Sequence, residues 1–202
     1  MGQLVSIIGN SGVGKTTLVE LLAERPGFLA AKEDLQQRPF QALFARDLKS
    51  YALANQIDFL LYKAEQERWL RKQAGIGLQD GGLDQDYHIF THLFFKAGYL
   101  DELEIELCGR LYHQLRQDQQ PPDMYIYLEC PVEVIAARYQ ARNREREITQ
   151  LDDLHSVQSL LEKWLNEVEP HKLMMVNAGD DNYNSPEAVD KIAQQISEML
   201  SE

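Results

Sequence analysis

The sequence predicts an α/β fold, a parallel β-sheet flanked by helices, and three observations carry that expectation. Short apolar runs at Leu4–Ile8, Ile76–Leu78, Met124–Leu128 and Leu173–Val176 read as buried strands. Longer segments with apolar residues at helical spacing separate them, and strands that alternate with helices pair in parallel through right-handed crossovers. The first strand also runs straight into "GNSGVGKT", Gly9–Thr16, which spells G-x-x-x-x-G-K-T.

In chain order, Leu4–Ile8 predicts the first strand and Lys15–Glu24 a helix, ended by Pro26-Gly27. Asp47–Gln73 has Leu53, Phe59, Leu60, Trp69 and Leu70 at helical spacing, with charges between them. Ile76–Leu78 is a short strand closed by "QDGG", and helices are expected over His88–Ala97 and Asp101–Gln117. "QQPPD", Gln119–Asp123, breaks the chain before the Met124–Leu128 strand. Pro131 sits near the first turn of a helix to Ala141. The charged "RNRERE" of Arg142–Glu147 follows, then a helix over Leu154–Val168, a last strand and a closing helix, Pro186–Leu200. With no repeat and no low-complexity linker, one domain over residues 1–202 is expected.

A formal charge of −12 over 202 residues argues against duplex DNA or an anionic membrane as partner. A polyphosphate stays compatible, because Mg²⁺ and a local cluster of donors bind it. The run Leu4–Ile8 lacks the basic start and length of a signal peptide, and no apolar run approaches the ~18 residues of a membrane span. Two cysteines, Cys108 and Cys130, are too few for a disulfide framework, so a cytoplasmic protein is expected. The five histidines share no metal-ligand spacing with them, and Trp69 and Trp164 read as core or interface residues.

The Gly9–Thr16 stretch is where chemistry first becomes legible. Gly9, Gly12 and Gly14 let successive backbone N–H groups turn inward around phosphates. Lys15 supplies a point charge to the β/γ-phosphates, Thr16 a hydroxyl to Mg²⁺, and the following helix its positive end. The expected nucleotide contacts are Gly9, Asn10, Ser11, Gly12, Val13, Gly14, Lys15, Thr16 and Thr17, in a P-loop NTPase fold binding a nucleoside triphosphate, taken as ATP. The loop alone does not name the acceptor.

"GNSGVGKTT" followed by "KEDLQQRPF", "NQIDFLLYK", "DGGLDQDYHIF" and "RYQARNRERE" resembles the deoxynucleoside kinase family, within the thymidylate kinase-like fold. The resemblance spans Leu4 to about Val168 and rests on the order of motifs that are individually weak outside the loop. It implies that Glu33 is the carboxylate that takes the proton from the sugar 5′-hydroxyl. It places Gln56 where an amide pairs with the nucleobase and Glu147 near the sugar 3′-hydroxyl. Asp80, ending its strand, would reach Mg²⁺ directly or through water. Arg138, Arg142 and Arg144 would line an arginine-rich lid over the triphosphate, since guanidinium matches phosphate oxygens. Each has a plainer counterpart: a solvated loop acid, a polar helix face, a turn residue or an exposed charged helix end. Long apolar-patterned helices imply a homodimer by the same resemblance.

The chain also departs from the family. An arginine and a serine or threonine usually follow the strand-end acid, and here they are Gly81 and Gly82. An assisting tyrosine corresponds to Ala45, beside Phe44, and "NAGDDN", Asn177–Asn182, is the candidate adenine-side loop. The missing charge has either moved, to Arg142 or Arg144 in the favoured account or to Lys63, or it is lost in a protein that binds nucleotide with little transfer. A third account is a kinase for a nucleoside monophosphate or another small acceptor.

Overall fold

The computed structural model describes residues 2–31, 38–142 and 153–201, with only the backbone described at 139–142 and 181. Among these, five parallel strands form one sheet: β1 (Gln3–Gly9), β2 (Phe28–Ala30), β3 (Ile76–Asp80), β4 (Met124–Glu129) and β5 (Leu173–Asn177), in the order β2-β3-β1-β4-β5. β1 pairs with β3 and β4 on either side, so the chain crosses from one side of β1 to the other between β3 and β4. In open α/β sheets the crevice at such a reversal, beyond the strands' carboxyl ends, is where ligands bind.

The helices are α1 (Lys15–Ala23), α2 (Pro39–Phe44), α3 (Leu48–Leu70), α4 (Leu83–Gln85), α5 (His92–Lys96), α6 (Glu102–Asp118), α7 (Val132–Arg142), α8 (Asp153–Leu165) and α9 (Pro186–Met199). The alternation of side chains along each strand divides the core in two. Val5, Ile7, Met124, Ile126 and Leu128 face α1 and α9, where they meet Leu18, Leu22, Val189 and Ile192. Ile8, Tyr125 and Tyr127 face the other layer, with Phe44, Ile89, Leu93, Leu161 and Trp164. Burial on both faces is why these strands are apolar runs.

Local signals set several boundaries. Asp47 caps α3 by accepting from Ser50 N–H at 3.0 Å. Asp101 and Glu104 form a reciprocal capping box at the start of α6. Three features lie beyond the sequence expectation. β2 and α2 are short elements in a stretch with no clear period, and the helix expected from His88 begins at Leu83. Between α4 and α5 the chain makes a wide π-turn over Asp86–Thr91, whose Asp86 carbonyl accepts from Gln56 Nε2 at 3.0 Å and Thr91 Oγ1 at 3.2 Å. No helix among the described residues is long and apolar enough to cross a membrane.

Candidate active site

β1 ends at Gly9 and the loop turns back into α1, with Gly9, Gly12 and Gly14 all at positive φ. At Gly14 the requirement is twofold: φ is +112°, and a Cβ would lie 1.9 Å from the Tyr183 hydroxyl oxygen. Tyr183 donates to the Val13 carbonyl at 3.4 Å, so the segment after β5 braces the loop. The opposite limb is held by Asn10, whose amide donates to the Leu154 carbonyl at 2.9 Å and accepts from Ser11 N–H at 2.8 Å. Gln85 fixes the beginning of the loop, its Oε1 accepting from Gly9 N–H at 2.9 Å. Lys15 folds back over the loop, its ammonium 3.1 Å from the Gly9 carbonyl and 2.9 Å from that of Asn10. Val13 is buried in the core beneath, and Thr17 lies one residue along α1 from Thr16.

The register of the sheet brings the second part of the site to this loop. Ile7 pairs with Asp80, so β3 ends beside the place where β1 opens into the loop. Thr16, in the first turn of α1, donates its hydroxyl to Asp80 Oδ2 at 2.5 Å. The hydroxyl that the loop motif offers to a cation and the carboxylate that the resemblance offers to it thus meet at one point.

After Asp80 the backbone turns through Gly81 at φ +74° and Gly82 at φ +104°. The Gly81 carbonyl accepts from the Ser6 hydroxyl. A Cβ at Gly82 would stand 2.7 Å from that hydroxyl oxygen and 2.9 Å from Gln79 Oε1, so this turn is shaped for glycine. On the sheet's other flank, Lys63 of α3 donates its ammonium to the Asp80 carbonyl at 2.9 Å. Gln56, two turns earlier on the same helix, is buried and not on a solvated face.

A buried ionic cluster anchors the segment that follows. Glu67 accepts two bonds from Arg116, at 2.7 and 3.0 Å, and one from Leu83 N–H at 3.3 Å. Asp84 accepts from Arg116 Nε at 2.8 Å and from the hydroxyls of Tyr112 and Tyr125 at 2.8 and 2.6 Å. Burial opposes the charge on Arg116, but Asp84 and Glu67 outweigh it and hold its pKa up. Burial raises Glu67, with Arg116 acting against that shift.

Arg138 of α7 donates to the Ala178 carbonyl at 2.7 Å, which puts its guanidinium against the "NAGDDN" segment. Arg142 ends α7 and only its backbone is described, while Glu33, Arg144 and Glu147 lie outside the described residues. The residues on either side of the Glu33 segment are anchored nearby: Ala31 N–H donates to the Leu78 carbonyl at 3.1 Å, and Arg38 pairs with Asp58 of α3 at 3.2 Å. Sequence reasoning missed Gln85, Tyr183 and Ser6 at this site. The only signal for the first was its place just after two glycines, and for the second its place beside the candidate adenine-side loop.

A family model described as deoxynucleoside kinase matches residues 5–201. The deoxyadenosine/deoxycytidine kinase of Bacillus subtilis (strain 168) is 25% identical over 202 residues, covering 98% of this chain and 93% of its own. The deoxyguanosine kinase of the same strain is 26% identical over 203 residues, covering 97% of each chain. A thymidylate kinase of Geobacter sulfurreducens is 25% identical over 195 residues, covering 89% and 91%. Among solved structures, a deoxyadenosine kinase from M. mycoides with bound dCTP shares the fold with a TM-score of 0.81 at 18% identity, over 97% of this chain and 100% of that one. A phosphate loop joined through Thr16 to the strand-end Asp80, under a family match that runs almost from end to end, makes this chain a member of the deoxynucleoside kinase family.

Proposed function

We propose that this protein transfers the γ-phosphoryl group of ATP to the 5′-hydroxyl of a deoxynucleoside. The family is one of ATP-dependent kinases that phosphorylate deoxynucleosides, and the observation that carries the reading here is the 2.5 Å contact between Thr16 and Asp80 at the mouth of the loop. In this reading the backbone of Gly9–Thr17 and the Lys15 ammonium bind the phosphates, and Arg138, Arg142 and Arg144 cover them. A hydroxyl and a carboxylate are hard oxygen donors that fit Mg²⁺, and Thr16 and Asp80 would hold it. An ion held there would supply positive charge beside the phosphate oxygens.

Glu33 takes the proton of the attacking hydroxyl, a role supported by the anchoring of its flanks at Ala31 and Arg38. Gln56 faces the base: its amide nitrogen carries two N–H groups, and the Asp86 carbonyl takes one. Glu147 reaches the sugar 3′-hydroxyl. A single domain, a cytoplasmic location and a homodimer complete the proposal. The exposed Leu61 and Trp69 of α3 and Leu103 and Leu107 of α6, two helices that pack together, support the dimer.

Product analysis with ATP, Mg²⁺ and either deoxynucleosides or their monophosphates tests the reading. Glu33→Gln should lower deoxynucleoside turnover by ~10²–10⁴ with ATP affinity unchanged. Near-normal turnover removes Glu33 from the mechanism. A second reading, a monophosphate acceptor, draws on the absence of a side chain at Gly81, where a Cβ would meet only Gln85, at 3.7 Å. Faster use of the monophosphates would establish it in place of the first.

A further inference from the structure

We propose that Gln85 is a positioning residue for the transfer, holding the opening of the phosphate loop in the conformation that binds ATP. The inference rests on the phosphotransferase reading and adds to it a residue that acts through the loop.

The β1–β3 ladder stops one rung short of the loop. In a parallel ladder a residue turns its N–H and C=O to the same neighbour, bonding the residues before and after its partner. Ile7 pairs with Asp80, and its carbonyl accepts from Gly81 N–H at 2.8 Å. Two residues on, Gly9 faces the β3 side again. A further rung would join its N–H to the Gly81 carbonyl and its carbonyl to Leu83 N–H. The Gly81-Gly82 turn, with both residues at positive φ, carries the chain away before that rung forms. Side chains satisfy all four backbone groups instead. Gln85 Oε1 accepts from Gly9 N–H at 2.9 Å, and Lys15 donates to the Gly9 carbonyl at 3.1 Å. The Ser6 hydroxyl donates to the Gly81 carbonyl, and Glu67 accepts from Leu83 N–H at 3.3 Å.

Gln85 thus does for the mouth of the loop what a neighbouring strand does for the rest of β1. Its Nε2 lies 3.7 Å from the place of a Cβ at Gly81, so the amide spans the gap between turn and loop. The segment that carries it is anchored from behind. Asp84 accepts from Arg116, Tyr112 and Tyr125, and the Asp86 carbonyl accepts from Gln56. Gln85 is 1% exposed, so removing its oxygen leaves Gly9 N–H buried and unpaired in the binding conformation. The loop then gains from any arrangement that admits water to this N–H. ATP affinity falls with the share of protein left in the binding conformation. Gly9 also carries a carbonyl on which Lys15 rests, so its displacement shifts the support of the phosphate lysine.

The test compares wild type, Gln85→Met and Gln85→Glu. Methionine is similar in length and has no oxygen, whereas glutamate keeps one for Gly9 N–H. Calorimetry reads ATP affinity, steady-state rates give KM for ATP and for a deoxynucleoside, and NMR on ¹⁵N-glycine-labelled protein follows hydrogen exchange of the Gly9 amide. In wild type that amide should be protected. Gln85→Met should lose the protection and bind ATP ~10-fold or more weakly, with the deoxynucleoside KM within about threefold of wild type. Gln85→Glu should recover the protection and part of the affinity. A fast-exchanging Gly9 amide in wild type overturns the proposal. So does ATP affinity within about twofold of wild type in Gln85→Met, or an equal loss in Gln85→Glu. A deoxynucleoside KM that rises as much as the ATP dissociation constant marks general disruption and refutes it, as does unfolding of both variants. If wild type binds ATP yet phosphorylates no deoxynucleoside, the transfer reading fails, while calorimetry and exchange still decide the role of Gln85.

Discussion

Replacing Arg116 by methionine removes the cation paired with Glu67 and Asp84, at a site where the three side chains are 11%, 1% and 5% exposed. Asp84 keeps two tyrosine hydroxyls, whereas Glu67 keeps only the Leu83 N–H. Glu67 therefore bears most of the cost. Breaking a buried pair in this way costs ~3–5 kcal/mol. Protonation sets a ceiling on Glu67's share: taking up a proton costs about 1.36 kcal/mol for each pH unit above its ordinary value of 4.5. That makes ~3.4 kcal/mol at pH 7 and ~0.7 kcal/mol at pH 5. In the variant the folded pKa of Glu67 rises well above the unfolded one, so the native state binds the extra proton. Burial already raises Glu67 in wild type, so stability relative to wild type falls as pH rises from the wild-type folded pKa toward the higher one of the variant. Urea unfolding followed by fluorescence should show Arg116→Met weaker than wild type by ~3 kcal/mol at pH 7, and by a smaller margin at pH 5. Made in a Glu67→Gln background, the same substitution should show no such pH dependence. A loss below ~1 kcal/mol at pH 7, or one equal at both pH values, would refute the reasoning.

The other predictions follow from single contacts. Lys15→Ala should weaken ATP binding strongly in a protein that melts like wild type, and unchanged affinity by calorimetry would contradict the loop assignment. Gly14→Ala should cost at least ~1–2 kcal/mol from its positive φ and lower ATP affinity by displacing Tyr183. Tyr183→Phe, which removes the oxygen 1.9 Å from the new Cβ, should recover part of the loss. Burial lowers the pKa of His88, with Asp84 and Glu167 acting against it, so the fold holds this ring neutral. A depressed histidine means that the unfolded chain binds more protons, and stability should fall as pH drops below 6.5 toward the folded pKa. His88→Phe, stacked on Trp164 as His88 is, should flatten that fall in denaturant titrations.

Much of this site was legible because the phosphate loop constrains its own sequence: three glycines at positive φ, a lysine and a hydroxyl must occur in fixed order between a strand and a helix. Asp80 came from the resemblance, and the register of β1 with β3 is what sets it beside the loop. Gln85 and Tyr183 were not legible, because each acquires its role through a contact 76 or 170 residues away along the chain. The π-turn at Asp86–Thr91 was hidden too, since its carbonyl is satisfied by side chains from α3 and from its own far end. β2 is three half-buried residues with no alternation to read. That Gly81 stands where an arginine is usual came from the resemblance, and the bond from Lys63 of α3 to the Asp80 carbonyl could not be read from sequence because it joins residues 17 apart. Glu33, Arg144 and Glu147 lie outside the described residues, so their assignments still rest on resemblance.

The central claim is that this site moves a phosphoryl group from ATP to a sugar hydroxyl. The direct measurement follows the label from ATP carrying ³²P at the γ-position, incubated with Mg²⁺ and each deoxynucleoside, with products separated by chromatography. The account predicts label on the 5′-oxygen of a deoxynucleoside monophosphate, formed in step with ADP. Label that stays on ATP, or appears only as inorganic phosphate at a rate indifferent to the deoxynucleoside, would contradict it.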